Sequence, residues 1–511
     1  MATTYNSRVN KKLLELLMFQ MYGDSELIYR EYVQNARDAI NDAVKAGILS
    51  SITEGRISIT IDRNNQRIVI EDNGTGVSIN NVEPVLLDIA AGNKDGETSA
   101  GQFGIGRLVG GYFCKKLSFK TSYKGEDVAS EIVFDIDKIK TILYDESDSS
   151  EATVVIDNAT EKNIYEEQND KHYFIVTLED VSLDYDNLLS EDKIIEYLQE
   201  VAPVNYGDAF NVNLICTNIK NEYVELQKQI GYFQITVNET YIIKKRYGLE
   251  IEGTKDKILS LEYFPLRDDS GNLLAWGWYA VTPFTKAIPI DDRNSCFRLR
   301  KHNIQVGDAN FLTQYFPKQE TRGNKYFYGE IHIANQRIKL NSARDGLAPT
   351  PEAISFKASV RTFFDYLVKL YHLGNTTKKE TERALEEINN ATLADLPKVA
   401  KKWEAEFKKI EGTKNAQSTA AQQMIKSYKE QINEALKILP EKTTVTTNAT
   451  PPIIIKPTPP QDQLEPLKAK YSTDKIDLIR RIFRIITDKC RAQDQKPVKE
   501  LIKLVIKELG K

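Results

Sequence analysis

Three short clusters in the first hundred or so residues carry the chain's clearest chemistry. Glu31, Asn35 and Asp38 stand at i, i+4 and i+7 within residues 26–40, a spacing that sets all three close to one face of a helix. Carboxylates and an amide oxygen sharing a face are the groups that move protons and hold hard cations; a solvated helix surface is the ordinary alternative. The second cluster is Asp72-Asn73-Gly74-Thr75-Gly76. An aspartate closing an apolar strand can sit buried while two glycines leave the backbone free to approach a flat ligand, although such a run also makes common tight turns. The third, Gly101-Gln102-Phe103-Gly104-Ile105-Gly106, leads into the apolar run 107–113. Glycines just before a helix let backbone N–H groups and the helix dipole face an anion. Each pattern alone is weak, and their order and spacing make the case.

The elements that must position these groups are legible nearby. Leu27, Val33, Ala36 and Ile40 give residues 26–40 an apolar stripe of helical period, with an N-cap signal in the run from Asp24 and an end near Gly47. An apolar helix over 10–22 precedes it. Two alternating runs, RISITI (56–61) and QRIVIED (66–72), predict an antiparallel hairpin that buries Ile57, Ile59, Ile61, Ile68 and Ile70 and delivers Asp72 at its end. The polar, glycine-containing stretch 92–101 reads as a lid, and 107–113 as a helix.

Composition narrows the class. The chain has 511 residues, 41% hydrophobic and 28% charged, with a formal net charge of -4, enough for roughly three domains and without a global pull toward nucleic acid or anionic membrane. Cys114, Cys216, Cys296 and Cys490 are widely spaced, which predicts reduced thiols rather than a disulfide frame or a zinc site. Neither a signal-peptide core nor a span of roughly 18 apolar residues is present, so the expected location is the cytoplasm, with no membrane partner.

The motifs Glu31-x-x-x-Asn35-x-x-Asp38-Ala39, Asp72-x-Gly74-x-Gly76 and Gly101-x-x-Gly104-x-Gly106 resemble those of the GHKL ATPase superfamily. The wording REYVQNARDA and GQFGIG is most similar to the ninety-kilodalton heat-shock (Hsp90-like) chaperones. FRLRKHNIQVGD (297–308) and YGEIHIANQRIKLNSARDGL (328–347) resemble the chaperone middle domain, so the likeness extends over about 10–370. It implies an α+β protein: a GHKL (Bergerat) sandwich of helices on a mixed sheet, then an α/β middle domain and a helical C-terminal region. ATP and Mg²⁺ are the implied cofactors. Glu31 would be the general base for the attacking water, Asn35 a Mg²⁺ ligand, and Asp72 the acceptor of the adenine amino group, with Gly74 and Gly76 beside the base. Gly101, Gln102, Phe103, Gly104, Ile105 and Gly106 would line the phosphates, and Arg344 would reach the γ-phosphate from the second domain. Asp38 lies near the nucleotide or only braces its helix; Lys94 in the lid contacts phosphate or is solvated.

The sequence departs from the family in three places. The strand step that usually carries a threonine is His172-Tyr173 here, with Thr153 and Thr177 as alternatives, and Ala348 stands where the chaperones carry glutamine. The C-terminal part is also small. Predicted domains are 1–212 (ATP-binding), 213–374 (α/β middle, strands from YFQITV onward, a helix at 353–372), 375–440 (a solvated helical arm), 441–466 (a Pro/Thr linker) and 467–511 (two amphipathic helices). Residues 127–170 read as acidic surface loops with an edge strand, residues 191–201 as the helix closing the first domain, and Trp276, Trp278 and Tyr279 as core aromatics. From 465 to 511, 13 Lys/Arg face 7 Asp/Glu, yet no aromatics interleave, so a nucleic-acid partner is the lesser reading. The expectation is an ATPase cycling on a protein partner, with homodimerisation through the C-terminal helices and ATP-dependent N-terminal contacts. The alternative is an ATP-gated clamp on DNA, like MORC or MutL proteins, in prokaryotic defence.

Overall fold

The computed structural model describes residues 10–16, 18, 24–87, 106–210, 221–251, 253–254, 256–289, 295–341 and 344–443. The chain divides into two compact units, Met1–Lys437 and Ile438–Lys511. The first unit holds two α/β layers in succession, and the C-terminal helices expected over 467–511 lie outside the described residues.

Helix α1 (Lys11–Glu15) and helix α2 (Leu27–Lys45) precede strands β1 (Arg56–Asp62) and β2 (Arg67–Asp72). The hairpin pairs Ile59 with Ile70 and Ile61 with Ile68, and all five isoleucines turn inward as the alternation predicts. A short helix α3 (Val82–Leu86) follows. Residues Gly106–Phe113 form 3-10 turns rather than the predicted α-helix. They contain Gly110 and Gly111, the poorest ordinary residues for a helix interior, and a Cβ on Gly110 would stand 2.5 Å from the Tyr32 hydroxyl.

Strands β3 (Lys116–Ser122) and β4 (Val128–Asp135), helices α4 (Ile136–Tyr144) and α5 (Ala152–Asn158), and strands β5 (Thr160–Glu166) and β6 (Tyr173–Glu179) come next. Residues 127–170 are therefore not mainly surface loop. β4 is an interior strand with Ile132 and Phe134 fully buried, α4 buries Ile136 and Ile139, and only β5 has the expected edge character. Helix α6 (Glu191–Val201) falls on the predicted residues, and helix α7 (Asn221–Lys228) leads to β7 (Gln234–Val237) and β8 (Tyr241–Ile242). The YFQITV strand, expected within the second domain, instead pairs in parallel with β1. The first sheet thus has eight strands in the order β5-β4-β3-β6-β2-β1-β7-β8.

After a small ribbon of β9 (Glu250–Ile251) and β10 (Asp256–Lys257), the second sheet is built from β11 (Ser260–Arg267), β12 (Leu273–Val281), β13 (Cys296–Lys301), β14 (Ile304–Val306) and β15 (Tyr328–Ile333), in the order β11-β12-β15-β13-β14. Trp276, Trp278 and Tyr279 are buried, as core aromatics should be. Helix α8 (Pro351–Asn390) packs on this sheet and is 40 residues long, so it runs straight through the predicted boundary between middle domain and arm. Helices α9 (Leu396–Glu411) and α10 (Thr419–Thr443) are not a solvated arm. Trp403, Phe407, Met424, Ile425 and Tyr428 are buried, and the Tyr428 hydroxyl donates to the Pro283 carbonyl at 2.8 Å.

A buried polar cluster joins the two layers. Glu330 of β15, fully buried, accepts from Lys245, Arg300, His332, Tyr206 and Tyr247, while Arg300 also donates to the Glu200 carbonyl at the end of α6. Burial alone would raise the Glu330 carboxyl, but the adjacent Arg300 and Lys245 outweigh it and hold it well below the usual range. A buried carboxylate with this many donors is satisfied rather than strained.

Candidate active site

Helix α2 is the floor of the site. Its apolar stripe (Ile28, Val33, Ala36, Ile40) enters the first core, while Arg30, Glu31, Gln34, Arg37 and Asp38 are also buried, so the solvated-face alternative fails. The predicted N-cap is not used: Glu26 caps without a side-chain bond, and the Ser25 hydroxyl accepts from Asn187 instead.

Burying these charges requires partners, and each has one. Arg344 Nη1 donates to Glu31 Oε2 at 2.5 Å and Arg30 Nη2 to Glu31 Oε1 at 3.2 Å, leaving Glu31 with no exposed surface. Arg37 Nη1 donates to Asp38 Oδ1 at 2.8 Å. Asp38 is buried and ion-paired with its chain neighbour Arg37, and it is not among the described cavity-lining residues. Burial first, and then Arg37, Lys301 and Lys339, push His302 down to about 3.

Arg344 arrives from the loop after β15. Its φ of +55° is unusual for a residue with a side chain. The loop is closed by a Leu340–Leu347 bridge and by Asn341, whose side chain accepts from Gly346 N and donates to Asp345. These bonds fasten the turn at Arg344, whose guanidinium reaches helix α2.

Beside this contact lies a cavity of about 260 Å³, just below the usual range of small-molecule pockets. Ile70, Phe119, Phe174 and Val176 give it apolar walls, and Asn35, Asp72, Gly76, Arg107 and Arg344 its polar groups. Asp72 Oδ1 accepts from Gly74 N at 2.8 Å, and Thr75 N donates to the Ala39 carbonyl, so the DNGTG loop is wedged onto α2. A Cβ on Gly74 would lie 2.5 Å from Ala39 Cβ; at Gly76, with φ +65°, one would lie 1.9 Å from the Ser122 carbonyl oxygen. Both positions require glycine. Among the predicted phosphate contacts, Lys94, Gly101, Gln102, Phe103, Gly104 and Ile105 lie outside the described residues, and Gly106 opens the 3-10 turns.

The three alternatives for the strand threonine fall in different places. Thr153 is exposed on α5, and Thr177 lies within β6. His172 Nδ1 donates to the Gly74 carbonyl at 2.8 Å, and a further hydroxyl beside this loop is that of Thr121 on β3. It accepts from Val77 N at 2.8 Å and donates to the Tyr173 carbonyl at 2.9 Å. Tyr32, Asp42 and Arg107 line the cavity and were missed by sequence reasoning; the only trace of Thr121, which touches the lining residue Val77, is a polar residue in the inward register of Leu117 and Phe119.

A helix bearing a buried carboxylate and an amide, packed against a strand-end aspartate followed by two obligatory glycines, is the arrangement of a GHKL-class domain. Residues 25–165 match the family described as histidine kinase-, DNA gyrase B- and HSP90-like ATPase, and the chain carries a domain of that family. Among curated proteins, the chain is similar to the chaperone protein HtpG of Rhizobium meliloti, 37% identical over 113 residues, covering 19% of this chain and 18% of that protein. It is also similar to HtpG of Fusobacterium nucleatum, 30% over 128 residues (22% and 21%), and of Buchnera aphidicola, 26% over 259 residues (46% and 40%). The chain thus spans between 18% and 40% of these relatives' own length.

Proposed function

We propose that the chain is a Mg²⁺-dependent ATPase in which Glu31 is the general base and Arg344 the cation for the γ-phosphate. The observation that carries this reading is the buried Glu31–Arg344 contact, which joins residues 313 apart at the edge of the cavity. Asn35 suits the metal: a single protein oxygen beside a phosphate site matches the way magnesium keeps waters and phosphate oxygens as its other ligands. The bound metal would draw charge from the phosphate oxygens. Ile70, Phe119, Phe174 and Val176 hold the base, and Asp72 accepts its amino hydrogen. A carboxylate with both oxygens in ion pairs is a poor base, so turnover requires Arg344 to leave Glu31 for the substrate's terminal phosphate, coupling hydrolysis to movement between the two layers.

That coupling supports a chaperone-like cycle on a protein partner. The relatives are named as chaperones; for this chain the client, the cytoplasmic location and a homodimer through 467–511 and ATP-dependent N-terminal contacts belong to the proposal. No described helix is long and apolar enough to cross a membrane. The test is ATP hydrolysis by wild type, Glu31→Ala and Arg344→Ala, each with ATP binding. Both variants should bind, and loss of the base should lower turnover by about 10²-fold or more. Unchanged turnover in Glu31→Ala removes the base assignment, and no ATP binding by the wild type removes the ATPase reading.

A further inference from the structure

Two arginines line the cavity among the described residues, Arg107 and Arg344. Arg344 is engaged with Glu31. Arg107 directly follows GQFGIG, and its backbone is fastened to α2: the Tyr32 hydroxyl donates to the Arg107 carbonyl at 2.9 Å and accepts from Gly110 N at 3.1 Å. A Cβ on Gly110 would stand 2.5 Å from that hydroxyl, so this turn closes tightly on Tyr32. Tyr32 is itself buried and is the residue after Glu31. One side chain thus fixes where Arg107 enters the cavity relative to Asn35 and Glu31. Among the described lining residues, Arg107 and Arg344 are the cations a nucleoside polyphosphate would meet, beside the carboxylates Asp42 and Asp72.

We propose that Arg107 is a phosphate-binding residue for the nucleotide, with Tyr32 as its positioning residue. A guanidinium fork takes two phosphate oxygens at once, which a lysine cannot do. The site would therefore separate nucleoside polyphosphates from the bare nucleoside through Arg107, while the apolar walls and Asp72 serve both. The inference rests on the ATP reading above and names a contact within it.

Calorimetric binding of Mg-ATP, Mg-ADP and adenosine to the full chain tests it, with wild type, Arg107→Met, Arg107→Lys, Tyr32→Phe and the Tyr32→Phe/Arg107→Met double variant. Arg107→Met should weaken Mg-ATP by about 10- to 100-fold, the size of a charge-assisted bond, and leave adenosine within about twofold of wild type. Arg107→Lys should fall between, and wild-type Mg-ATP affinity should drop more steeply with salt than that of Arg107→Met. Tyr32→Phe should lose less than Arg107→Met and add little to it in the double variant, because the hydroxyl acts through Arg107. Equal losses of Mg-ATP and adenosine in Arg107→Met would make Arg107 a wall of the cavity and overturn the proposal, as would unchanged Mg-ATP affinity. Wild type that binds adenosine but gains nothing from the phosphates overturns it while leaving the base pocket standing; wild type that binds none of the three ligands overturns the ATP reading and this inference with it.

Discussion

At the residue scale, the site separates into groups readable from type and spacing and groups that only folding reveals. Glu31, Asn35, Asp72, Gly76 and Arg344 were readable because each is a chemically marked residue in a fixed frame, and they meet at one cavity edge. Gly76 shows how strict that frame is. Its φ is +65° and a Cβ would sit 1.9 Å from the Ser122 carbonyl oxygen, so Gly76→Ala adds left-handed strain and pushes β3 away from the loop. The expected outcome is a loss of about 1–3 kcal/mol in stability with ATP affinity reduced in parallel, measured by denaturant unfolding and nucleotide binding on the same preparation. A variant as stable as wild type with unchanged affinity would mean the loop does not hold the base. Tyr32, Thr121 and Arg107 left no comparable trace. Each is an ordinary residue in an amphipathic or mixed stretch, and its partner (the Arg107 carbonyl, Val77 N, the cavity itself) is set by tertiary packing.

At the element scale, period and turn chemistry carried what is local. The β1–β2 hairpin, α2 and α6 lie where alternation and helical stripes put them. What failed is non-local. β7 joins β1 in parallel across nearly the whole first domain, a pairing with no turn signal, and α8 continues past the expected boundary because nothing in its 40 residues breaks it. The Glu330 cluster is equally invisible in sequence, since Lys245, Arg300 and His332 come from separate elements. It nevertheless makes a pH prediction. Burial pushes His332 down to about 4 and His302 to about 3, below the 6.5 or so of an unfolded histidine. Between those values the unfolded chain binds the proton more readily, so the stability from keeping both rings neutral is full above about pH 6.5 and is lost as pH falls. Glu330, held low, keeps its contribution until pH drops below the ordinary carboxylate range. Denaturation midpoints should therefore fall from about pH 6.5 toward about 4.5, and His332→Phe, which retains the stack on Trp276, should flatten that slope. An identical slope in the variant would assign the pH dependence elsewhere.

At the scale of the whole molecule, the question is which part carries stability and which carries association. Lys/Glu-rich composition made 375–440 look like a solvated spacer, but composition does not report which face of a helix is covered. α9 and α10 bury Trp403, Phe407, Met424, Ile425 and Tyr428, and Gln423 meets Ser260 of β11. α9 and α10 as far as Lys437 belong to the first compact unit. Two truncations separate the roles. A chain ending at Asn390 uncovers the face on which α9 and α10 pack, at a cost of about 1.5–3 kcal/mol for each large apolar side chain newly exposed to water, and should unfold at much lower denaturant or fail to remain in solution. A chain ending at Lys437 keeps that face covered. Its unfolding midpoint and ATP affinity should match the full chain, while sedimentation should report a monomer and a lower ATP turnover, because the proposed association helices at 467–511 and the N-terminal pairing they promote are gone. If the Lys437 chain still sediments as a dimer, association runs through the first unit, and the role proposed for the C-terminal helices is wrong. If it is monomeric with full turnover, hydrolysis does not depend on pairing, and the Glu31–Arg344 exchange operates within one chain.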